Sequence, residues 1–440
     1  MKPTRKQIWT IAYPILISLL MENMIGLTDT AFLGRVGEVE LGASALGSVY
    51  YLVIFMLGFG FGIGAQILIA RRNGEKAYAL IGPLFQQGLL FLLSLATVMF
   101  VISHTFTPMV LRSLISSDEV YEAAVSYTNW RVFGFFFAFV AIMFRAFFVG
   151  ITNTKTLTLN SIVMVLSNVV LNYVLVFGKL GLPAMGVAGA AWATVIGQFC
   201  GMAVGIGINH VKNHEVRLNF RRFRPDWHSI KGIYQVGLPS IIMQSIGSVM
   251  TFGMNKILIA FTETAVSVFG VYFKLQSFVF MPVFGVTNAL VPIVGYNYGA
   301  RSSQRIQQAT RLSLLMTTAI MALGTVIFQV APGPLLSLFS ASDTMLSIGI
   351  PALRIISVSF CFAGVAIVFS SVFQALGDGM LSLVMSAVRQ LLLLLPCAFV
   401  LAKLGGLDAV WFSFLIAEVA SVTLAVVFYR SLYNKKIRHI

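Results

Sequence analysis

Apolar runs long enough to cross a bilayer recur along this chain from end to end, and nothing else in the sequence constrains the fold as strongly. A hydrocarbon core of ~30 Å takes about 20 helical residues. Only helices and closed barrels satisfy their own backbone in such a medium, and runs of this length read as helices. No stretch between them is long enough for a separate soluble domain. Composition agrees, with 58% hydrophobic and 10% charged residues against about 25% charged in soluble domains. The expected fold is an all-α integral membrane protein. Its twelve transmembrane helices lie near 8–32, 41–69, 80–105, 123–149, 157–178, 184–208, 232–260, 265–295, 312–331, 346–373, 381–402 and 409–430. The longer runs imply tilt or extension beyond the bilayer. The basic, then apolar, start has no small-residue cleavage site after it and reads as a retained first span.

The second half repeats the first at an offset of 225 residues. Pro14 recurs as Pro239, Phe55-Met56 as Phe280-Met281, Gly60 as Gly285, Gly74 as Gly299, and AIMF from Ala141 as AIVF from Ala366. Six spans per copy is an even number, so both copies enter from the same side. The expected arrangement is two six-helix lobes related by a pseudo-two-fold along the membrane normal, as in transporters that rock one half against the other. The boundaries read as an N-lobe over 1–209, a cytoplasmic linker over 210–231 and a C-lobe over 232–440.

The formal charge of +15 could suggest a nucleic-acid partner, but its distribution does not. Twenty of the thirty Lys and Arg sit in the two termini and in alternate connections, among them Arg71, Arg72, Arg217, Arg221, Arg222, Arg224, Arg301 and Arg305. The intervening connections hold only Arg35, Arg112, Lys179 and Lys403. This is the positive-inside pattern. It places both termini in the cytoplasm, in a multi-pass protein of the cell (inner) membrane, with lipid as the basic linker's other neighbour. Cys200, Cys361 and Cys397 each lie in an apolar run and read as packing residues. The five histidines sit at span ends or in loops, and neither HExxH nor DDxxD occurs, so an intramembrane enzyme is not expected. No metal or organic cofactor is called for.

Glu22 and Asp29 lie inside the first span, where an acid costs roughly 2.5–3.5 kcal/mol on insertion scales. Seven residues return them to within about 20° on one helical face, roughly 10 Å apart, so that face must meet protein or water. Asn168 and Asn172 repeat the habit one turn apart in the fifth span, and Thr194 offers a hydroxyl from the sixth. Arg131, Arg145, Lys256, Lys274, Arg354, Arg389 and Glu418 are the other charged groups within spans and possible partners. By position, Tyr51, Phe135, Phe136, Met164, Met243 and Gln276 are candidates for a cavity that accepts flat cations. Lys274 reads either as a C-lobe relay or as an anchor.

The stretch MPVFGVTNALVPIVGYNYGA, Met281 to Ala300, resembles the eighth span and following loop of multidrug and toxic compound extrusion (MATE) transporters. LTDTAFLG, GAAWAT, FQALGDG and VRQLLLLLP match elsewhere, so the resemblance covers essentially the whole chain and points to the DinF-like branch. It implies a two-lobed antiporter, functional as a monomer, that expels amphipathic and often cationic compounds in exchange for H⁺ or Na⁺. It also implies that Asp29, Asn168 and Asn172 line the N-lobe cavity and form its cation or proton site, with Glu22 and Thr194 beside them. The sequence departs from the DinF-like pattern at Asn172, often Asp there. No acid marks a C-lobe sodium site, because Gly247 and FCFAGVAIVFSSVF stand where NorM-type relatives carry Glu and Asp. The alternative is a flippase for a lipid-linked or amphipathic metabolite, which would need several cavity-facing Arg or Lys. A channel would have no use for two rocking copies.

Overall fold

The computed structural model describes residues 3–115, 117–212, 226–339 and 341–440. Lys2, Ser116, Ser340 and the linker arginines Arg217, Arg221, Arg222 and Arg224 lie outside the described residues. Among those described, the regular structure is entirely helical. The first half of the chain forms α1 (Arg5–Leu33), α2 (Glu38–Gly74), α3 (Tyr78–Leu114), α4 (Asp118–Arg131), α5 (Gly134–Gly150), α6 (Thr154–Phe177) and α7 (Gly186–Lys212). The second forms α8 (Trp227–Ile259), α9 (Glu263–Gly299), α10 (Ser303–Val330), α11 (Pro332–Ser337), α12 (Asp343–Ser357), α13 (Phe360–Ala375), α14 (Gly379–Ala387), α15 (Leu395–Val410) and α16 (Phe412–Leu432). Val388–Leu394, between α14 and α15, is a π-helical segment.

Among the described residues, ten helical segments are long and apolar enough to cross a membrane, and up to twelve if each of two bent pairs is one span. The bent pairs are α4 with α5, at 46°, and α12 with α13, at 49°. Asp118 and Asp343, which open them, are themselves 225 residues apart. The expected single spans at 123–149 and 346–373 are thus broken at matching points of the repeat. Neither break contains proline. At the second, side chains take up the freed carbonyls: Gln329 Nε2 donates to Arg354 O at 2.6 Å and Thr325 Oγ1 to Ser357 O at 3.0 Å. Ser359 Oγ closes onto Ile356 O at 2.7 Å. Such replacement partners are what a broken helix in lipid requires.

The chain divides into two compact units, Met1–Leu16 with Leu238–Ile440, and Ile17–Gly237. The divisions fall inside α1 and α8, just past the repeat-related Pro14 and just before Pro239. Within Ile17–Gly237 the start of α8 lies against α2. A Cβ on Gly64 would fall 2.2 Å from Ile233 O, and one on Gly237 would fall 2.5 Å from Gly60 O. The other unit repeats this crossing between the start of α1 and α9, where a Cβ on Gly285 would lie 3.5 Å from Ala12 O. Gly60 and Gly285 are repeat mates, as are Ala12 and Gly237. Lipid tails are as apolar as side chains, so helices associate by close packing and not by burial from water. On α2, Gly58 and Gly62 face Phe139 and Ile142 of α5, while Gly60 and Gly64 face α8. Two interleaved small-residue stripes therefore seat two different helices.

Each unit has its own core. That of Ile17–Gly237 is built on Phe61, Phe85, Phe135, Phe139, Phe147 and Phe148, and that of the other on Phe269, Tyr272, Phe328, Phe360 and Trp411.

Candidate functional site

In Ile17–Gly237 a polar cluster sits where α1, α6 and α7 meet. Helices α6 and α7 pack closely because Gly189, Gly197, Gly201 and Gly205 form a stripe spaced by two turns and then by single turns. A Cβ on Gly197 would come within 2.9 Å of Met164 O, and one on Gly201 within 3.2 Å of Asn160 O. That packing puts Thr194 beside Asn168.

Asp29 lies at the centre and is only 8% exposed. Its Oδ1 accepts from Asn172 Nδ2 at 2.8 Å and from Asn168 Nδ2 at 3.3 Å, and its Oδ2 accepts from Thr194 Oγ1 at 2.9 Å. Asn168 Nδ2 also donates to Thr194 Oγ1 at 3.0 Å, and Asn172 Nδ2 to Asn168 O at 3.1 Å. All the donors are neutral. Among the described residues Asp29 belongs to no ion pair. Two buried acceptors, Asn168 Oδ1 and Asn172 Oδ1, have no hydrogen-bond partner. The neighbouring polar groups of α1 are turned into their own helix instead. Thr28 Oγ1 donates to Met24 O and Asn23 Nδ2 to Leu19 O, both at 2.8 Å.

Asp29 and Thr194 line a cavity of about 520 Å³ whose walls also include Glu22, Ser48, Tyr51, Phe55, Phe59, Tyr127, Arg131, Ile142, Arg145, Met164 and Gln198. Glu22 is paired: Arg145 Nη1 donates to its Oε1 at 2.7 Å, and the Arg145 guanidinium lies 5.7 Å from the Phe59 ring centre. Arg131 lies over the Tyr51 ring at 3.9 Å. The two acids of the first span therefore face one cavity but differ in company.

The expected site residues are distributed as follows. Asp29, Asn168, Asn172 and Thr194 come together, and Glu22, Tyr51 and Met164 line the same cavity. Phe135 stands behind Tyr51, fully buried and stacked on it at 4.7 Å, and Phe136 packs against Phe100 at 5.7 Å. Met243, Lys274 and Gln276 belong to the other compact unit, where Lys274 Nζ lies 5.8 Å from the Phe339 ring centre. In that unit Arg389 Nη1 donates to Glu418 Oε1 at 2.9 Å. At the repeat offset, Met254, Leu393, Cys397 and Val419 stand where Asp29, Asn168, Asn172 and Thr194 would be. At those four positions the polar cluster is replaced by apolar side chains. Sequence reasoning placed Arg131 only among possible ion-pair partners. A guanidinium inside a span, one turn after Tyr127, is a signal that could have placed it in the cavity.

The MatE family model matches this chain twice, over residues 14–174 and 239–400. The chain belongs to the MatE family. The two matches begin 225 residues apart, as the internal repeat requires. Among MatE relatives, the multidrug export protein MepA of Staphylococcus haemolyticus is 24% identical over 432 residues, covering 98% of this chain and 94% of that protein. The probable multidrug resistance protein NorM of Thermotoga maritima is 26% identical over 439 residues, covering 97% and 92%. The fold matches a MATE crystal structure in the bent conformation with a TM-score of 0.93 at 22% identity, over 99% of this chain and 96% of that one. None of these names bears on the DinF-like branch.

Proposed function

We propose that this MatE protein is a secondary active exporter, in which inward movement of H⁺ or Na⁺ through Asp29 drives outward movement of an amphipathic drug-like compound by alternating access. The observation that carries this reading is a buried carboxylate, at a cavity wall, held by three neutral donors and no cation. Such a group can exchange its ion without first breaking an ion pair. The relatives' names, multidrug export protein MepA and probable multidrug resistance protein NorM, support the substrate class.

The residues around Asp29 suit two hydrogen-bonded states. With Asp29 charged, both amide nitrogens and the Thr194 hydroxyl donate to it. With a proton on Asp29 the carboxyl becomes a donor, and a half-turn of one Asn side chain presents an amide oxygen to accept. With Na⁺, a hard cation that prefers oxygen, the same half-turns set Asn oxygens, the Thr194 hydroxyl and Asp29 around the ion. Coupling then requires only that the loaded and empty forms favour different conformations.

The charge asymmetry of the connections supports a cell-membrane protein with both termini cytoplasmic. Lipids and drug-like compounds are its partners, no nucleic acid is involved, and the monomer is the working unit. The test is counterflow in proteoliposomes under imposed pH or Na⁺ gradients. Asp29→Asn is expected to lose at least nine-tenths of gradient-driven export while still inserting and folding. Full gradient-driven export by Asp29→Asn overturns the reading.

A further inference from the structure

We propose that the place where α10 begins and α16 ends is a binding site for an anionic phospholipid, whose phosphate seats on Arg311 and Arg430 while Arg438 adds charge on the side away from the membrane core. Both helices belong to the unit Met1–Leu16 with Leu238–Ile440. The site is independent of Asp29 and of export, and it gives a lipid class and a location to the general partnership with lipid.

The two helices meet through side chains at this end. Gln307 Nε2 donates to the Tyr433 hydroxyl at 3.4 Å, and Thr310 is the hydrogen-bonded side-chain partner of Tyr429. These pairings run in opposite senses along the two chains, so the helices are antiparallel here. Arg311 follows Thr310, and Arg430 follows Tyr429. One residue turns a helix by about 100°. Between antiparallel helices, one step past a touching pair carries both side chains to the same side. Both arginines are exposed. Beyond Arg430 the chain continues in a π-helical turn, Tyr433–Ile437, and the Arg438 amide donates to Tyr433 O at 2.9 Å. Ile437 is fully buried, so this turn is docked, and Arg438 is exposed about two turns past Arg430.

The arginines end two apolar stripes. From Arg311 the exposed face of α10 runs on through Leu315, Leu323 and Val326, and α16 reaches Arg430 through Ile416, Val419 and Val427. Spacings of three, four and eight residues keep each stripe on one helical face. Such a surface offers hydrocarbon to acyl chains and guanidinium groups to a headgroup. Tyr429 and Tyr433 lie between the two banks, and amphipathic rings of this kind mark headgroup level.

Among the described residues no acid competes for these arginines. Of the five acids in this unit, Glu263, Asp343 and Asp408 lie at the opposite helix ends. Glu418 pairs with Arg389, and Asp378 is taken by Lys436 Nζ at 2.6 Å. Arg311, Arg430 and Arg438 belong to no ion pair among the described residues. Nor does the scaffold call for them: at the repeat offset Gln86 and Gly205 stand in place of Arg311 and Arg430. Guanidinium groups match phosphate, and basic pockets between spans take anionic headgroups. A soluble phosphate would leave the stripes uncovered, whereas a lipid covers both parts.

The test is native mass spectrometry of the purified full-length protein, titrated with dioleoyl phosphatidylglycerol or dioleoyl phosphatidylcholine. The wild type is expected to hold the first phosphatidylglycerol at least tenfold more tightly than the first phosphatidylcholine. Arg311→Gln/Arg430→Gln/Arg438→Gln is expected to bring that ratio close to one. A charge-matched control, Lys76→Gln/Lys155→Gln/Lys231→Gln, changes exposed lysines of the other unit and is expected to keep the wild-type ratio. Equal binding of the two lipids by the wild type overturns the proposal without recourse to any variant. An equal fall in both triple variants also overturns it, because overall charge would then account for the preference. Binding of glycerol 1-phosphate as tight as that of phosphatidylglycerol would mark a site for a soluble anion, and the proposal falls in that case too.

Discussion

Asp29 and Glu22 show how far company decides a residue's role. They share a helical face and a cavity, yet one meets three neutral donors and the other a guanidinium. Glu22→Gln is expected to leave gradient-driven export within about a factor of five of wild type in the counterflow assay, because that acid already has a fixed counter-ion. A complete loss would make Glu22 the coupling group. A second carboxylate, outside the membrane, gives a pH-dependent outcome. Asp226 caps the start of α8: Oδ2 accepts from the Ser229 hydroxyl at 2.6 Å, and Oδ1 from the His228 amide at 3.0 Å. These bonds, that of the Ser229 hydroxyl first, hold its carboxyl below the usual Asp range. A lowered value means the cap is fully present above the ordinary Asp pKa and is lost as pH falls through the depressed one. Protection of the His228 and Ser229 amides, after correction for the intrinsic pH dependence of exchange, is expected to fall on acidification through that window. In Asp226→Asn it should do so far less, since Asn caps without titrating.

For the helices, sequence was most informative where a stripe repeats and least where a helix breaks. Gly58, Gly60, Gly62 and Gly64 carry the four-residue spacing of small side chains that close helix packing needs, and alternate glycines face α5 and α8. Gly64→Ala places a methyl 2.2 Å from Ile233 O, and is expected to cost about 1–3 kcal/mol by overpacking. Thermal unfolding in detergent should show this as a lowered midpoint. Gly207→Ala on α7 meets nothing within 4 Å and is expected to be neutral or mildly stabilising, by up to about 1 kcal/mol. The bends at 46° and 49° were not legible. No proline marks them, and apolar composition does not distinguish one long helix from two short ones. Arg131, which lines the cavity, and Phe135, which lies behind Tyr51, stand on the two sides of the first bend. The break resets the helical phase between them, so periodicity carried through it gives the wrong face. Asn168, Asn172 and Thr194 were legible because their two helices run unbroken.

Across the whole molecule, the two repeats share the scaffold but not the chemistry. Offset, bends and the α2–α8 and α9–α1 crossings recur, while the cluster at Asp29 becomes Met254, Leu393, Cys397 and Val419. The repeat was readable from scattered identities because glycines and prolines hold backbone geometry that few residues can replace. The compact units were not, since nothing in composition changes where the division runs through α1 and α8. Fragments 1–212 and 226–440 are expected to be unstable when expressed singly and to recover transport only when co-expressed. Assay of each fragment alone for detergent-stable, monodisperse protein checks this. A stable lone half would show that the opening stretch of each copy's first helix is dispensable.

That shared opening stretch also bears on ancestry. A half-length forebear of this chain would have kept its own first turns only by lending them to a twin and borrowing the twin's in return. Reciprocal exchange, and hence a pair of subunits, would then be older than fusion. A gene fused from such a pair would carry a handclasp in place of two separable domains.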